Sequence, residues 1–175
     1  MEMSLASLTE KIRDVPDFPH KGVVFKDITT LLKDSRAFKM AIDGLIEPFR
    51  GTQIDLVVGM ESRGFILGSP IAYQLGAGFV PVRKVGKLPA SAIRAEYTLE
   101  YGTAALEIHE DAIVPGQKVL VVDDLLATGG TVGATIDLIE KLRGEVVGVA
   151  FLIELTFLNG RSKLHERRVV SLLQY

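Results

Sequence analysis

Apolar and polar positions along the chain fall into two alternating patterns. Five apolar runs, continuous or nearly so, predict strands, and they span residues 54–59, 78–83, 119–122, 145–155 and 169–173. Between them, apolar residues recur every three or four positions, which predicts helices over residues 35–50, 64–75 and 130–143. Strands that alternate with helices favour an α/β fold with a central parallel sheet flanked by helices.

The segments outside this alternation have weaker patterns. Leu5, Leu8 and Ile12 are spaced as in a short amphipathic helix that ends before Pro16, and residues 22–28 are predicted to be extended. A basic loop at 84–92 resembles a linker or a mobile lid. Two short apolar runs, at 95–99 and 103–109, predict a hairpin arm.

Composition narrows the functional classes. At 175 residues the chain has the size of one domain, and its net charge of −2 implies no general attraction to nucleic acid or to membranes. The absence of cysteine excludes disulfides and thiolate metal sites and fits a cytoplasmic protein. No apolar run approaches the length of a membrane span, and acidic residues interrupt the N-terminal apolar positions, so we predict neither a membrane segment nor a signal peptide.

The strongest chemical signal follows the apolar run at 119–122. Two adjacent acids, Asp123 and Asp124, precede a turn of small residues, and the helix at 130–143 comes next. Such a turn at a helix N-terminus presents a row of backbone N–H groups, which can hold a phosphate. The turn lacks the lysine of a P-loop, so it predicts a phosphate site of another kind. Its residues are Ala127, Thr128, Gly129, Gly130 and Thr131.

Two more candidate anion sites follow other predicted strands. A polar turn after the strand at 54–59 consists of Glu61, Ser62, Arg63 and Gly64. Basic residues at and after the end of the strand at 78–83 are Arg83, Lys84 and Lys87. Because ligands bind beside the carboxyl ends of parallel strands, we expect all three segments at one edge of the sheet. An arginine in such a turn can clamp two phosphate oxygens.

These motifs resemble the type I phosphoribosyltransferases, and the string at 121–131 resembles the adenine-specific branch of that family. The resemblance extends over nearly the whole chain. It implies that Asp123 and Asp124 face the ribose hydroxyls of phosphoribosyl pyrophosphate (PRPP), directly or through Mg²⁺, for which oxygen ligands are suited. It also implies that the turn at 127–131 binds the 5-phosphate. The pyrophosphate would contact Glu61, Ser62, Arg63, Arg83, Lys84 and Lys87, with a cis peptide between Glu61 and Ser62.

The resemblance also assigns residues to the base. Residues 1–34 would form a hood over the purine, residues 35–157 the core with a flexible arm at 84–107, and residues 158–175 a C-terminal extension. Phe25 and Leu155 would sandwich adenine, while backbone groups of Val24 and Lys26 would read its Watson–Crick edge. Lys26 stands where some members have arginine, which leaves the role of its side chain open. Glu100 and Tyr101 are the implied catalytic residues of the arm.

The implied reaction transfers the 5-phosphoribosyl group of PRPP to adenine through an oxocarbenium-like transition state, which gives AMP and pyrophosphate for purine salvage. The alternatives are a xanthine- or hypoxanthine-type phosphoribosyltransferase and a non-catalytic PRPP-binding regulator of the same fold. A protein resembling PRPP synthetase is a weaker alternative because we find no ATP site. The expected partners are adenine, PRPP and a second copy of the chain in a homodimer, with no nucleic acid and no membrane.

Overall fold

A seven-stranded sheet forms the centre of the protein. The computed structural model describes residues 5–98, 103–164 and 167–175. The seven strands lie in the order β5-β6-β4-β3-β7-β8-β9. They are β3 (Leu56–Met60), β4 (Gly78–Lys84), β5 (Ala92–Thr98), β6 (Thr103–His109), β7 (Lys118–Leu126), β8 (Glu145–Glu154) and β9 (Val169–Gln174).

Helices cover both faces of this sheet. They are α1 (Leu5–Thr9), α2 (Thr29–Leu32), α3 (Ser35–Ile46), α4 (Arg63–Leu75) and α5 (Gly130–Lys141). Asp34 caps the N-terminus of α3, because its carboxylate accepts from the backbone N–H groups of Arg36 and Ala37. Short 3₁₀ helices span Glu47–Phe49, Thr156–Leu158 and Gly160–Leu164. Two buried apolar clusters, one on each face, fill the space between helices and sheet.

The predicted α/β fold is confirmed, with a sheet that is mostly parallel. β3 pairs in parallel with β4 and β7, and β7, β8 and β9 continue the parallel ladder. The predicted hairpin strands β5 and β6 are antiparallel and extend the sheet beyond β4. The carboxyl ends of β3, β4 and β7 therefore lie side by side.

The N-terminal segment differs from its prediction. The helix ends at Thr9 rather than running to Ile12, and a strand that the sequence did not predict, β1 (Arg13–Pro16), follows. It pairs with β2 (Val24–Asp27) in a separate two-stranded antiparallel sheet. The spacing of Leu8 and Ile12 correctly predicted that both side chains are buried. From Arg13 onward, however, backbone pairing with β2 determines the conformation.

The strand of the acidic motif is also longer than predicted. β7 runs to Leu126, so Asp123 and Asp124 belong to the strand itself. Asp123 is paired with Phe151 of β8. Among residues 5–98, 103–164 and 167–175, no helix is long and apolar enough to cross a bilayer.

Candidate active site

One cavity joins the turn after β3, the end of β4 and the end of β7. Its volume is about 460 Å³, and it is part polar and part apolar. Lining residues from the sequence prediction are Glu61, Ser62, Arg63, Lys84, Asp123, Asp124, Ala127 and Thr131. The expectation that three anion-binding candidates meet at one edge of the sheet is therefore confirmed.

The acidic pair lies at the centre of this cavity. The Asp123 carboxylate accepts a hydrogen bond of 2.9 Å from the backbone N–H of Asp124. The Asp124 carboxylate forms a salt bridge of 2.6 Å with the Nε of Arg63. Burial raises the pKa of the Asp123 carboxyl well above its usual value, and the negative charge of Asp124 raises it further.

The two acids differ in their neutralisation. Burial also raises the pKa of Asp124, but the Arg63 guanidinium opposes this shift by stabilising the carboxylate. Asp123 has less stabilisation from nearby positive charge than Asp124, so burial raises the pKa of Asp123 more. The acidic pair can therefore accept hydrogen bonds from donors such as ribose hydroxyls, or bind a cation that arrives with a ligand.

The turn after β7 has the backbone geometry of an anion nest. Gly129 has a φ of +80° and begins α5 without a side-chain cap. A second, small cavity of about 70 Å³ lies directly over this turn. It is lined by Asp123 and by residues 125–132, which include Thr128, Gly129 and Gly130.

A glycine that the sequence analysis missed supports this turn from below. A Cβ atom at Gly129 would lie 2.6 Å from the carbonyl oxygen of Gly160, and one at Gly160 would lie 2.1 Å from the carbonyl oxygen of Ala127. Both distances are far below van der Waals contact, so the two backbones approach closely only because both residues are glycine. The Asn159-Gly160 pair was the available signal, since such pairs mark turns.

The turn after β3 is organised by charged side chains. The Glu61–Ser62 peptide is cis, as the resemblance predicted. The Glu61 carboxylate accepts from Arg83 Nε at 2.8 Å and from the backbone N–H of Lys84 at 3.4 Å. Gly64 allows close packing onto β7, because a Cβ there would lie 3.0 Å from Asp123 Oδ1. Glu61 thus connects this turn to the basic residues after β4.

The basic loop is held at several points. Arg83 donates through one terminal nitrogen to the carbonyl oxygen of Lys87 at 3.0 Å. The buried Glu107 accepts from the Gly86 backbone N–H at 2.9 Å and pairs with Arg94 Nε at 2.7 Å. Lys84 lines the main cavity, whereas Arg83 and Lys87 are not among its lining residues. The structure thus brings one of the three predicted basic residues to the cavity.

The predicted base-binding residues lie beside the cavity rather than in its lining. The guanidinium of Arg63 lies 5.0 Å from the ring centroid of Phe25, which links β2 to the turn after β3. Val24 is exposed, and the side chain of Lys26 is largely covered. Leu155 follows β8 and donates its backbone N–H to the Leu126 carbonyl oxygen, next to the β7 turn.

The hairpin arm contributes residues to the cavity that differ from those predicted. Glu100 and Tyr101, the predicted catalytic residues, lie outside the described residues. Tyr97 and Leu106, from the two strands of the hairpin, line the cavity and were not predicted. Strand alternation indicated that both positions belong to a strand, but it contained no signal that this face meets a cavity.

The acidic pair is the candidate for holding Mg²⁺. Two carboxylates of the chain supply hard oxygen donors, and no cluster of three or more histidine or acidic groups occurs among the described residues. Mg²⁺ is commonly held by one or two carboxylates together with substrate phosphates and waters. The donor set therefore fits an ion that arrives with a polyphosphate and does not fit a complete protein cage.

A larger shallow groove of about 720 Å³ lies between α3 and β9. Its lining is mostly apolar and contains none of the residues that the sequence predicted for a site. Size alone would favour this groove, but the chemistry favours the smaller cavity with its acids, arginine and backbone nest.

Comparison with known proteins agrees with this chemistry. Residues 29–172 match the phosphoribosyl transferase domain family. An adenine phosphoribosyltransferase of Chloroflexus aurantiacus is 58% identical over 173 residues, which cover 99% of this chain and 100% of that protein.

Solved structures show the same likeness in three dimensions. The adenine phosphoribosyltransferase of Thermoanaerobacter pseudethanolicus has a TM-score of 0.96 at 53% identity, with 98% of this chain and 100% of that chain covered. The Saccharomyces cerevisiae enzyme, solved with an imino-altritol bisphosphate and adenine, has a TM-score of 0.91 at 41% identity, with 96% and 97% covered.

Proposed function

The chain belongs to the adenine phosphoribosyltransferases, and from this premise we propose how its residues carry out the family's reaction. The enzyme transfers the 5-phosphoribosyl group of PRPP to adenine, which gives AMP and pyrophosphate in purine salvage. The observation that supports this assignment best is the single cavity shared by the β7 turn, the acidic pair and the β3 turn. These elements match in order the phosphate, ribose and pyrophosphate of PRPP.

The two ends of PRPP are assigned to the two turns. The nest at 127–131 holds the 5-phosphate through backbone N–H groups and the hydroxyls of Thr128 and Thr131. The turn at 61–64 and Lys84 hold the pyrophosphate, with Arg63 offering a charge-assisted donor. Asp123 and Asp124 lie between these ends and accept from the ribose 2- and 3-hydroxyls.

Positioning and electrostatics supply most of the rate. C1 of the ribose becomes oxocarbenium-like as pyrophosphate departs, so the site must fix the base nitrogen opposite the leaving group. The carboxylates face the developing positive charge on the sugar, and the basic side chains face the negative charge on the leaving group. Asp123 and Asp124 would hold Mg²⁺, which when bound would help to neutralise the charge on the leaving pyrophosphate.

Adenine is selected by the hood. Phe25 and Leu155 contact the two faces of the purine, and backbone groups of Val24 and Lys26 bond to its edge. A carbonyl that accepts from the exocyclic amine of adenine loses this bond when the base carries an oxo group. That loss corresponds to roughly 1–3 kcal/mol, which disfavours hypoxanthine and guanine.

Glu100 is proposed to move a proton on the imidazole ring of adenine, with Tyr101 covering the reacting centre. Adenine reacts through N9, which carries a proton in its dominant neutral tautomer, so a carboxyl group near N7 or N9 assists the reaction. The Glu100→Leu variant is expected to lower kcat by roughly 100-fold with little change in PRPP binding. A kcat within twofold of the wild type would overturn this role.

Two further proposals rest on the family. We propose that the protein is a homodimer, which a light-scattering measurement on a sizing column tests directly. We also propose that it acts in the cytoplasm, as expected for a salvage enzyme without cysteines. Fractionation of the source cells with an antibody to the protein tests that location.

Turnover of purine bases tests the function itself. Purified protein with PRPP and Mg²⁺ is supplied with adenine, hypoxanthine, guanine or xanthine, and the change in ultraviolet absorbance is followed. AMP should form from adenine at least about 100-fold more efficiently than nucleotides form from the oxopurines, which corresponds to about 3 kcal/mol of discrimination. Preference for an oxopurine, or no turnover of any base, would refute the assignment.

A further inference from the structure

Tyr175 contacts both sides of the proposed base slot. Its backbone N–H donates to the carbonyl oxygen of Glu154 at 3.0 Å, and its carbonyl oxygen accepts from the backbone N–H of Thr156 at 2.9 Å. The hydroxyl of Thr156 donates to the same carbonyl oxygen at 2.7 Å. Glu154 and Thr156 flank Leu155, so the backbone of Tyr175 fixes one wall of the slot from both sides.

The ring of Tyr175 reaches the other wall. The Nζ of Lys26 lies 3.9 Å from the centroid of this ring, well within the range of a cation–π interaction. The same Nζ forms an ion pair of 2.7 Å with Asp14 on β1. Only 12% of the Lys26 side chain is exposed, so the contact is largely shielded from water.

The character of this contact follows from its surroundings. Burial raises the pKa of the Tyr175 phenol, and the negative charge of Asp14 raises it further. The phenol is therefore neutral at physiological pH, and Lys26 meets an aromatic face rather than a phenolate. Phenylalanine should accordingly replace tyrosine here with little loss.

Side-chain contacts attach the hood to the rest of the protein. β1 and β2 form their own two-stranded sheet, which shares no strand with the central sheet. Leu8 and Ile12 bury themselves at its base, and Phe25 packs against Arg63. The Lys26–Tyr175 contact joins the hood directly to the segment that contains Leu155.

We propose that Tyr175 and the Lys26 side chain form a latch that sets the separation of the two walls of the adenine slot. This inference rests on the proposed function and assigns a role to the Lys26 side chain that the sequence left open. Tyr175 acts as a positioning residue, since it affects adenine through Leu155 and the hood. The effect of removing its ring should be confined to adenine, because the ring contacts Lys26, which belongs to neither of the turns assigned to PRPP.

Steady-state kinetics of three variants tests the latch. Tyr175→Ala and Lys26→Met should each raise KM for adenine about 5- to 10-fold, while kcat and KM for PRPP stay within twofold. Tyr175→Phe keeps the aromatic face, so KM for adenine should stay within about twofold of the wild type. Tyr73→Ala on α4 is the matched control, since that tyrosine is 88% exposed.

The double variant provides the sharpest outcome. If the two side chains act through one contact, Lys26→Met combined with Tyr175→Ala should raise KM for adenine no more than either single change. Multiplied effects would overturn the latch, as would an unchanged KM for adenine or an equal rise in KM for PRPP.

Failure of folding can be separated from failure of the latch. Thermal melting of each variant identifies loss of structure, and Lys26→Met examines the contact without removing the backbone bonds of Tyr175. A normal KM for adenine in folded Lys26→Met overturns the inference alone. A wild-type protein that makes no AMP overturns the proposed function as well.

Discussion

The two turns that we assign to PRPP lie at the same edge of one sheet but are held by different forces. The turn after β7 is shaped by backbone, because Gly129 adopts a positive φ and packs directly on the backbone of Gly160. The turn after β3 is held by charge, since Glu61 pairs with Arg83 and Arg63 pairs with Asp124. The β7 turn depends mainly on the absence of side chains, whereas the β3 turn depends mainly on charged side chains, with Gly64 allowing its close packing onto β7.

This difference indicates how each turn can treat its ligand. A nest of fixed N–H groups suits a phosphate that stays with the ribose throughout the reaction. Side chains that already have carboxylate partners can exchange them for pyrophosphate oxygens and then recover them. Such exchange suits a leaving group, which must be bound and then released.

The largest effect is expected from Gly129→Val. The branched side chain would clash with the Gly160 carbonyl. In addition, position 129 has a positive φ that valine avoids, so the nest would be displaced. We expect kcat/KM for PRPP to fall about 1000-fold in steady-state assays. Gly133→Ala on α5 is the control, since a Cβ there meets nothing within 4 Å and should preserve activity. Normal PRPP use by Gly129→Val would disprove the nest.

Asp123→Asn should have the next largest effect. The amide oxygen can still accept from the Asp124 N–H, but the charge that we assign to the ribose and to Mg²⁺ is lost. We expect kcat/KM for PRPP to fall about 100-fold, with a melting temperature in the absence of ligand that is equal or higher, because a desolvated charge is removed. Asp124→Asn tests the second acid in the same assay. Wild-type kcat/KM in both variants would exclude the acidic pair from the site.

Arg63→Gln tests the charged turn. The change removes a guanidinium from the cavity and leaves the buried Asp124 without its partner. We expect kcat/KM for PRPP to fall about 30-fold and the melting temperature to drop, both measured on the same preparation. Arg36→Gln, at an exposed position of α3, serves as the comparison. A stable and active Arg63→Gln enzyme would contradict the role of this ion pair.

Glu61→Gln should have a smaller effect on catalysis. The amide oxygen can still accept a hydrogen bond from Arg83, but it lacks the negative charge that strengthens this bond. The basic loop is therefore held less firmly. We expect KM for PRPP to rise about 5-fold with kcat within twofold. A variant with wild-type KM would show that the loop is held independently of Glu61.

The smallest effect concerns the support under the β7 turn. Glu154 accepts hydrogen bonds from Arg161, next to Gly160, and from Ser171. The bonds from Arg161 hold the pKa of Glu154 below its ordinary value of 4.5, so this stabilisation is present above pH 4.5 and disappears as pH falls through the lowered pKa. Glu154→Gln should cost about 1 kcal/mol at pH 7 by urea unfolding, and the difference should shrink below pH 4.5. A difference that grows in acid would reverse this assignment.

The same contrast explains what the sequence could predict. The β7 turn depends on residues adjacent in the chain, so the sequence alone marked its small residues as a candidate phosphate site beside two acids. Its support by Gly160 depends on a segment about thirty positions away, and no local pattern identifies that partner. The apolar pattern likewise predicted every strand of the central sheet, and the parallel order of those strands predicted that the candidate segments meet at one edge.

Long-range pairing accounts for the remaining differences. The helix predicted through Ile12 ends at Thr9 because the following residues form β1, which pairs with β2. Apolar spacing contains no information about that pairing. The contacts of Glu61 with Arg83 and of Lys26 with Tyr175 span 22 and 149 positions in the chain. Such pairs become visible only when the fold brings them together.

Binding of the two halves of PRPP tests the central claim most directly. Ribose 5-phosphate and pyrophosphate, the latter with Mg²⁺, are titrated calorimetrically into wild type, Gly129→Val and Arg63→Gln. The account predicts a crossed result, in which Gly129→Val loses ribose 5-phosphate but keeps pyrophosphate, and Arg63→Gln weakens pyrophosphate about 10-fold or more but keeps ribose 5-phosphate. Equal loss of both ligands in each folded variant, or the reverse pattern, would contradict the assignment of the two turns.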